Sequence, residues 1–122
     1  MKILIIDDEE NYTALLKLNL EFRLGHEVEM VNRSDEAVAA ALRFRPDVIL
    51  LDVVMPGMDG GDVLHQFETH PLLRRTAVIF VTALAGRGDE PTESAGRLML
   101  AKPVSLATLE RTMRMALERV PC

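Results

Sequence analysis

The sequence predicts an α/β fold in which one parallel β-sheet carries helices on both faces. Short apolar runs recur along the chain, and each ends at polar residues or at a break rich in Gly and Pro. Between these runs, apolar residues recur at three- and four-residue spacings, which is typical of helices that bury one side. Strands and helices therefore alternate, and this alternation favours parallel strands joined by right-handed crossovers.

The length and composition fit one globular domain over residues 1–122. Hydrophobic residues make up 48% of the chain and charged residues 27%, which is an ordinary globular balance. The net charge of −5 argues against binding to nucleic acid or to an anionic membrane, since both need clustered positive charge. Cys122 is the only cysteine, and no leader pattern or long apolar segment is present. We therefore expect a cytoplasmic domain.

The first half of the chain is predicted to form three strands and two helices. The segments in order are a strand at 2–6, a helix at about 9–24, a strand at 28–31, a helix at 37–44 and a strand at 48–51. Gly25 follows the first helix, where a left-handed residue is favoured. Asn32 or Ser34 is expected to cap the second helix, and Pro46 to end it.

The second half is predicted to add two strands and two helices around an irregular segment. The segments are a helix around 63–70, a strand at 77–81, a strand at 98–101 and a helix from about 106 to 120. Ser105 is a candidate cap for the last helix. Residues 83–96 contain several Gly residues, and we expect a loop there with a stub of helix that begins at Pro91.

Polar side chains follow four of the five predicted strands. They are Asp7 and Asp8 after the first, Asp52 after the third, Thr82 after the fourth and Lys102 after the fifth. A single carboxylate such as Asp52 is equally well explained as a turn or capping residue. Ligand sites in parallel sheets, however, lie at the carboxyl ends of the strands. Five polar groups at this one edge therefore predict a site there.

The chemistry of these groups points to phosphoryl transfer. Three crowded carboxylates repel one another unless a cation is bound, and Mg²⁺ is the hard ion that carboxylate and carbonyl oxygens suit. Two of the acids, with Asp8 and Asp52 favoured, and the backbone carbonyl of Val54 are candidate ligands. A carboxylate nucleophile beside this ion needs no base, while Lys102 and Thr82 would contact the phosphoryl oxygens.

Four motifs occur together in a recognisable order: Asp7-Asp8, Asp52-x-x-Met55-Pro56-x-Met58-Asp59-Gly60, Thr82-Ala83 and Lys102-Pro103. In order and spacing they resemble the receiver domain of two-component response regulators, from residue 2 to about residue 119. The resemblance implies a flavodoxin-like receiver fold with strand order 2-1-3-4-5. The fourth helix of this fold is expected to be short or irregular here.

The resemblance also implies roles for the residues. Asp52 would accept a phosphoryl group from a phosphohistidine of a sensor histidine kinase or phosphotransfer protein. Asp7 and Asp8 would complete the Mg²⁺ pocket, Thr82 and Lys102 would contact the phosphoryl group, and the Lys102-Pro103 peptide would be cis. Such a domain signals to a downstream protein partner, as a monomer or as a phosphorylation-dependent dimer. It is not an enzyme beyond catalysing its own phosphorylation and dephosphorylation.

The chain also departs from the family pattern. Thr82 and an aromatic residue three positions before the Lys form the family's switch, but that position is Met99 here. Residues 84–96, which would build part of the output face, are interrupted by Gly and Pro. The positions two residues past Asp52 and Thr82 are the apolar Val54 and Leu84, which cannot orient an attacking water, so we expect slow self-dephosphorylation.

Two other functions remain open from the sequence. The chain could be a protein-interaction domain that keeps the receiver fold without control by phosphate, as Met99 makes conceivable. It could also be a hydrolase that uses an aspartyl phosphate, although such enzymes commonly carry a second acid where Val54 stands. The sequence fits either a stand-alone receiver or a piece of a longer protein.

Overall fold

The computed structural model describes residues 1–55, 57, 59–83 and 90–119. Its elements in chain order are β1 (Lys2–Ile6), α1 (Glu10–Leu24), β2 (Glu27–Val31), a 3₁₀ turn (Ser34–Glu36), α2 (Ala37–Phe44), β3 (Val48–Leu51), α3 (Gly60–Thr69), β4 (Ala77–Thr82), β5 (Thr92–Ser94), β6 (Arg97–Ala101) and α4 (Leu106–Glu118). Among the described residues, no helix has the length and apolar character needed to cross a membrane.

The strands form a six-stranded sheet in the order β2-β1-β3-β4-β6-β5. The first five strands of this order pair in parallel, whereas β5 pairs antiparallel with β6. The predicted parallel sheet is therefore confirmed, with β6 as its fifth parallel strand. The edge strand β5 is an addition that the sequence did not predict.

The apolar central strands supply a core on each face of the sheet. Side chains alternate along a strand, so Ile3 and Ile5 of β1 face α1 and α4, while Leu4 and Ile6 face α2 and α3. Strands β3 and β4 are buried along their whole length, as expected for parallel strands covered on both sides. The helices on both faces thus hold the strand ends in fixed positions.

Helix ends agree with the sequence in two places and disagree in one. Gly25 ends α1 in the left-handed region with φ 70°, and the Ser105 hydroxyl accepts the Thr108 N–H at the start of α4. The expectation that Asn32 or Ser34 caps α2 is wrong. Its N-cap is Glu36, which forms no side-chain capping bond, because the 3₁₀ turn comes between β2 and the helix.

The expected stub of helix at Pro91 is also wrong. The chain after Pro91 forms β5, and a tight turn at Ala95 and Gly96 leads into β6. Both turn residues have positive φ, 53° and 76°, which is the type I′ geometry that suits the twist of a hairpin. The rest of the predicted loop, residues 84–89 with Leu84, lies outside the described residues.

Candidate site at the carboxyl edge of the sheet

Backbone hydrogen bonds extend the sheet just past its strands and fix the polar residues that follow. The Asp52 N–H donates to the carbonyl of Ile6 at 2.9 Å, and the Lys102 N–H donates to the carbonyl of Thr82 at 3.1 Å. The Lys102-Pro103 peptide is cis, as expected. The side chains that end separate strands are therefore held at one edge of the sheet.

Three carboxylates meet at this edge. Each of Asp7, Asp8 and Asp52 offers one oxygen, and these oxygens all lie within 4.8 Å of one another. Asp7 and Asp52 are buried, whereas Asp8 is exposed. The donor set consists of hard oxygen ligands with one open side, which is the kind of set that Mg²⁺ takes in proteins.

Lys102 lies in the middle of the acids. Its Nζ is 2.6 Å from Asp7 Oδ2, 2.7 Å from Glu9 Oε1 and 3.2 Å from Asp52 Oδ2. The ammonium also lies 4.8 Å from the centre of the Tyr12 ring. Burial disfavours the charged ammonium, but the hydrogen bonds and charges of the carboxylates outweigh this cost and raise the pKa of Lys102. The lysine therefore carries a positive charge at neutral pH.

Asp7 differs from an ordinary surface carboxylate. Burial raises its pKa, although the hydrogen bonds from Lys102 and from the Glu9 N–H oppose the shift. The negative charge of Asp52 adds to the increase. A bound cation would favour the ionised form of Asp7, so the acid cluster is suited to a metal ion.

Asp52 is 5% exposed and sits at the start of a turn. Its Oδ1 accepts the Val54 N–H at 3.3 Å, and the Val54 side chain is largely exposed. After the turn, the chain passes close to Asp52 again at Gly60. A Cβ added to Gly60 would lie 2.4 Å from the Asp52 carbonyl oxygen. Asp59 then caps α3 by accepting the Asp62 N–H. Pro56 and Met58 of the sequence motif lie outside the described residues.

The other two expected side chains lie on the strands beside Asp52. Thr82 is buried at the end of β4, opposite Ala101 of β6. Met99 is half-buried and packs against the apolar core on the α2 and α3 side of the sheet. Its backbone is paired with Phe80 on one side and with Thr92 on the other. The expected switch residue is thus held between two strands.

Three residues contact the site although the sequence did not predict a role for them there. Glu9 and Tyr12 contact the Lys102 ammonium, and the Asn32 side chain donates to the Asp7 carbonyl at 2.8 Å. Glu9 belongs to the acidic run that follows β1, which was a usable signal. Nothing in the local sequence pointed to Tyr12 or Asn32, because their partners are distant in the chain.

Residues 3–114 match the family model described as the response regulator receiver domain. The chain is 42% identical over 107 residues to the response regulator PleD of Caulobacter vibrioides, covering 84% of this chain and 23% of PleD. It is 33% identical over 118 residues to the protein PilH of Pseudomonas aeruginosa, covering 95% of this chain and 97% of PilH. The chain thus spans about a quarter of the length of PleD but nearly all of PilH.

A solved structure resembles the whole fold. The receiver domain of the sensor histidine kinase PA1611 from Pseudomonas aeruginosa, solved with a magnesium ion in its active-site cleft, superposes with a TM-score of 0.81 at 31% identity. The match covers 96% of this chain and 97% of that domain. The sheet and helices described above therefore have the arrangement of a known receiver domain.

Proposed function

Because the chain belongs to the response regulator receiver domain family, we propose that it is a phosphoacceptor module of two-component signalling and that Asp52 receives the phosphoryl group. The observation that carries this proposal is the pairing of a buried carboxylate, Asp52, with the Lys102 ammonium at 3.2 Å. Asp7 and Asp8 complete the cluster. A lone capping carboxylate would need neither the lysine nor the other acids.

The proposed donor is a phosphohistidine of a sensor histidine kinase or a phosphotransfer protein. A carboxylate oxygen of Asp52 attacks phosphorus, the P–N bond breaks as the new P–O bond forms, and the imidazole nitrogen leaves with the bonding electron pair. No general base is required, because the nucleophile is already an anion. Lys102 stabilises negative charge on the phosphoryl oxygens, and Thr82 is proposed to donate a hydrogen bond to them.

Mg²⁺ is the proposed cofactor. The carboxylates of Asp7, Asp8 and Asp52 would hold it, with the Val54 backbone carbonyl as a further ligand. When bound, the ion supplies positive charge that neutralises the phosphoryl oxygens. The raised pKa of Asp7 supports this proposal, since a cation would replace the proton that burial favours.

The output of the module is proposed to be a change in its contacts with a downstream protein. Thr82 and Met99 are the proposed switch residues, and the domain would act as a monomer or as a dimer formed on phosphorylation in the cytoplasm. The exposed apolar Val54 beside Asp52 supports slow self-dephosphorylation, because it offers no hydrogen bond to an attacking water. The chain is not proposed to be an enzyme in any other sense.

One observation favours a second candidate, an interaction domain that does not respond to phosphate. Met99 has paired strands on both sides, so the last parallel strand has less freedom to follow Thr82 than an unpaired edge strand would have. In this case the acid cluster would be a structural remnant. Phosphorylation of Asp52 without any change in the β5–β6 hairpin would support this second candidate.

The proposed function is tested by incubation with acetyl phosphate and Mg²⁺, followed by intact mass measurement. We expect one added mass of about 80 Da, which Asp52→Asn abolishes. Asp62→Asn is the matched control, because Asp62 is an exposed acid in the first turn of α3. A protein that gains no mass, or that gains it with Asp52 replaced, contradicts the proposal.

A further inference from the structure

The Lys102 ammonium already uses all of its hydrogen-bonding capacity. An ammonium has three N–H donors, and three carboxylates lie within reach, those of Asp7, Glu9 and Asp52 at 2.6, 2.7 and 3.2 Å. The Tyr12 ring covers a further side of the ammonium. When a donor approaches Asp52, its phosphoryl oxygen can therefore contact Lys102 only if one of these bonds is released.

The three carboxylates differ in what release would cost. Asp7 and Asp52 have side chains only 4% and 5% exposed, and separating a buried carboxylate from its counter-charge is expensive. The Glu9 side chain is 57% exposed, so its carboxylate can return to water at little cost. Glu9 is therefore the partner that Lys102 exchanges most easily.

The backbone of Glu9 does not have to move in this exchange. Its N–H donates to Asp7 Oδ1 at 2.9 Å, and its carbonyl accepts the Thr13 N–H at 3.0 Å in the first turn of α1. These bonds hold only the backbone of the residue, so its exposed side chain can turn away from Lys102 into water. Release of Lys102 thus needs only a change of side-chain rotamer.

We propose that Glu9 is a positioning residue that holds Lys102 in the resting site and is displaced by a phosphoryl oxygen when the donor binds. Glu9 acts as an internal competitor of the phosphoryl group, and it lowers the affinity of the site for every phosphodonor. This inference rests on the proposed function, because it concerns the same lysine and the same acceptor.

The main test compares Glu9→Gln with Glu10→Gln. Both variants remove one negative charge from the start of α1, but only Glu9 contacts Lys102. With acetyl phosphate and Mg²⁺, we expect Glu9→Gln to lower the half-saturating donor concentration by about two- to fivefold, the range that an exposed ion pair supports. The maximal rate should stay close to that of the unchanged protein. Glu10→Gln should alter neither value.

A second measurement is independent of phosphorylation. Lys102 is treated with an amine-acetylating reagent, and its labelling is measured by mass spectrometry against Lys2 and Lys17 of the same molecule. The Lys102 side chain is 8% exposed and contacts Glu9. We expect Glu9→Gln, but not Glu10→Gln, to increase its relative labelling by about two- to fivefold. If the protein takes no phosphoryl group, the proposed function fails while this labelling still shows whether Glu9 holds Lys102.

The inference requires both changes. An unchanged or higher half-saturating concentration in Glu9→Gln overturns the role as competitor, even if labelling increases. Equal effects of Glu9→Gln and Glu10→Gln overturn it too, since the cause would then be net charge and not contact with Lys102. Unchanged labelling of Lys102 in Glu9→Gln would show that Glu9 does not hold Lys102, which overturns the inference.

Discussion

Replacing Gly60 with Ala tests whether the close return of the chain beneath Asp52 shapes the site. An added Cβ would lie 2.4 Å from the Asp52 carbonyl oxygen and 2.7 Å from the Val53 Cα, about 1 Å closer than van der Waals contact allows. Both neighbours are backbone atoms, so the turn itself must shift. Overpacking of this kind costs about 1–3 kcal/mol, and the better helix propensity of Ala returns up to about 1 kcal/mol. We expect the free energy of unfolding to fall, by up to about 3 kcal/mol.

The next residue provides the control. Among the described residues, a Cβ on Gly61 would approach the Asp59 oxygen that caps α3, at 3.2 Å, so Gly61→Ala should change stability by no more than about 1 kcal/mol in either direction. Urea denaturation followed by circular dichroism measures both variants. Displacement of Asp52 should also slow phosphorylation of Gly60→Ala by on the order of tenfold or more. If Gly60→Ala matched Gly61→Ala in stability and in rate, the close contact would have no influence on the site.

Two further predictions concern the acid cluster and the hairpin. Burial raises the pKa of Asp7 above its ordinary value of 3.8. As the pH is lowered, the affinity for Mg²⁺ should therefore begin to fall at a higher pH than it would if Asp7 had the ordinary pKa. Tyr12 is the single Tyr in a chain without Trp, and its ring centre lies 4.8 Å from the Lys102 ammonium, so its fluorescence can report the binding of Mg²⁺. An affinity that stays constant down to pH 3.8 would refute the prediction. In the hairpin, Ala95→Asn should raise the free energy of unfolding by about 0.5–1 kcal/mol, because Asn accepts the positive φ of the turn. Ala95→Val should lower the free energy of unfolding, because a β-branched residue does not accept this φ. Equal stability of the two variants would contradict the turn geometry.

The parallel sheet and the site edge could be predicted because each rests on local signals. An apolar run such as Val48–Leu51 identifies a strand buried on both faces. The rule for parallel sheets then brings the residues after such strands to one edge. Asp7, Asp52 and Lys102 follow different strands, and their meeting needed no knowledge of long-range contacts beyond the strand order.

The hairpin could not be predicted because its turn residues are unusual. A type I′ turn is normally announced by Asn-Gly or Asp-Gly, and here Ala95 occupies the first turn position. The Gly residues of this segment therefore favour a loop, and Pro91 favours the first turn of a helix. The position of Glu9 against Lys102 was also hidden, since the two residues are 93 positions apart in the chain.

The orientation of α1 was a third point beyond the sequence. The helix carries two apolar stripes, and spacing alone does not say which of them faces the sheet. In the structure Leu16 and Leu20 are buried, while Leu15, Leu18 and Phe22 are exposed. The choice depends on which stripe meets β1 and α4, and this is a property of the packed fold.

The hairpin also decides which strand is outermost on the side of the sheet opposite β2. Without β5, the last strand would be β6, which carries Leu98, Met99 and Leu100 and would leave a row of unpaired N–H and C=O groups open to other chains. With β5 in place, the outermost strand is three exposed residues long, and its Glu93 is ion-paired with Arg119. Short, charged edges resist strand addition from a neighbouring molecule. The hairpin therefore protects the domain against edge-to-edge aggregation.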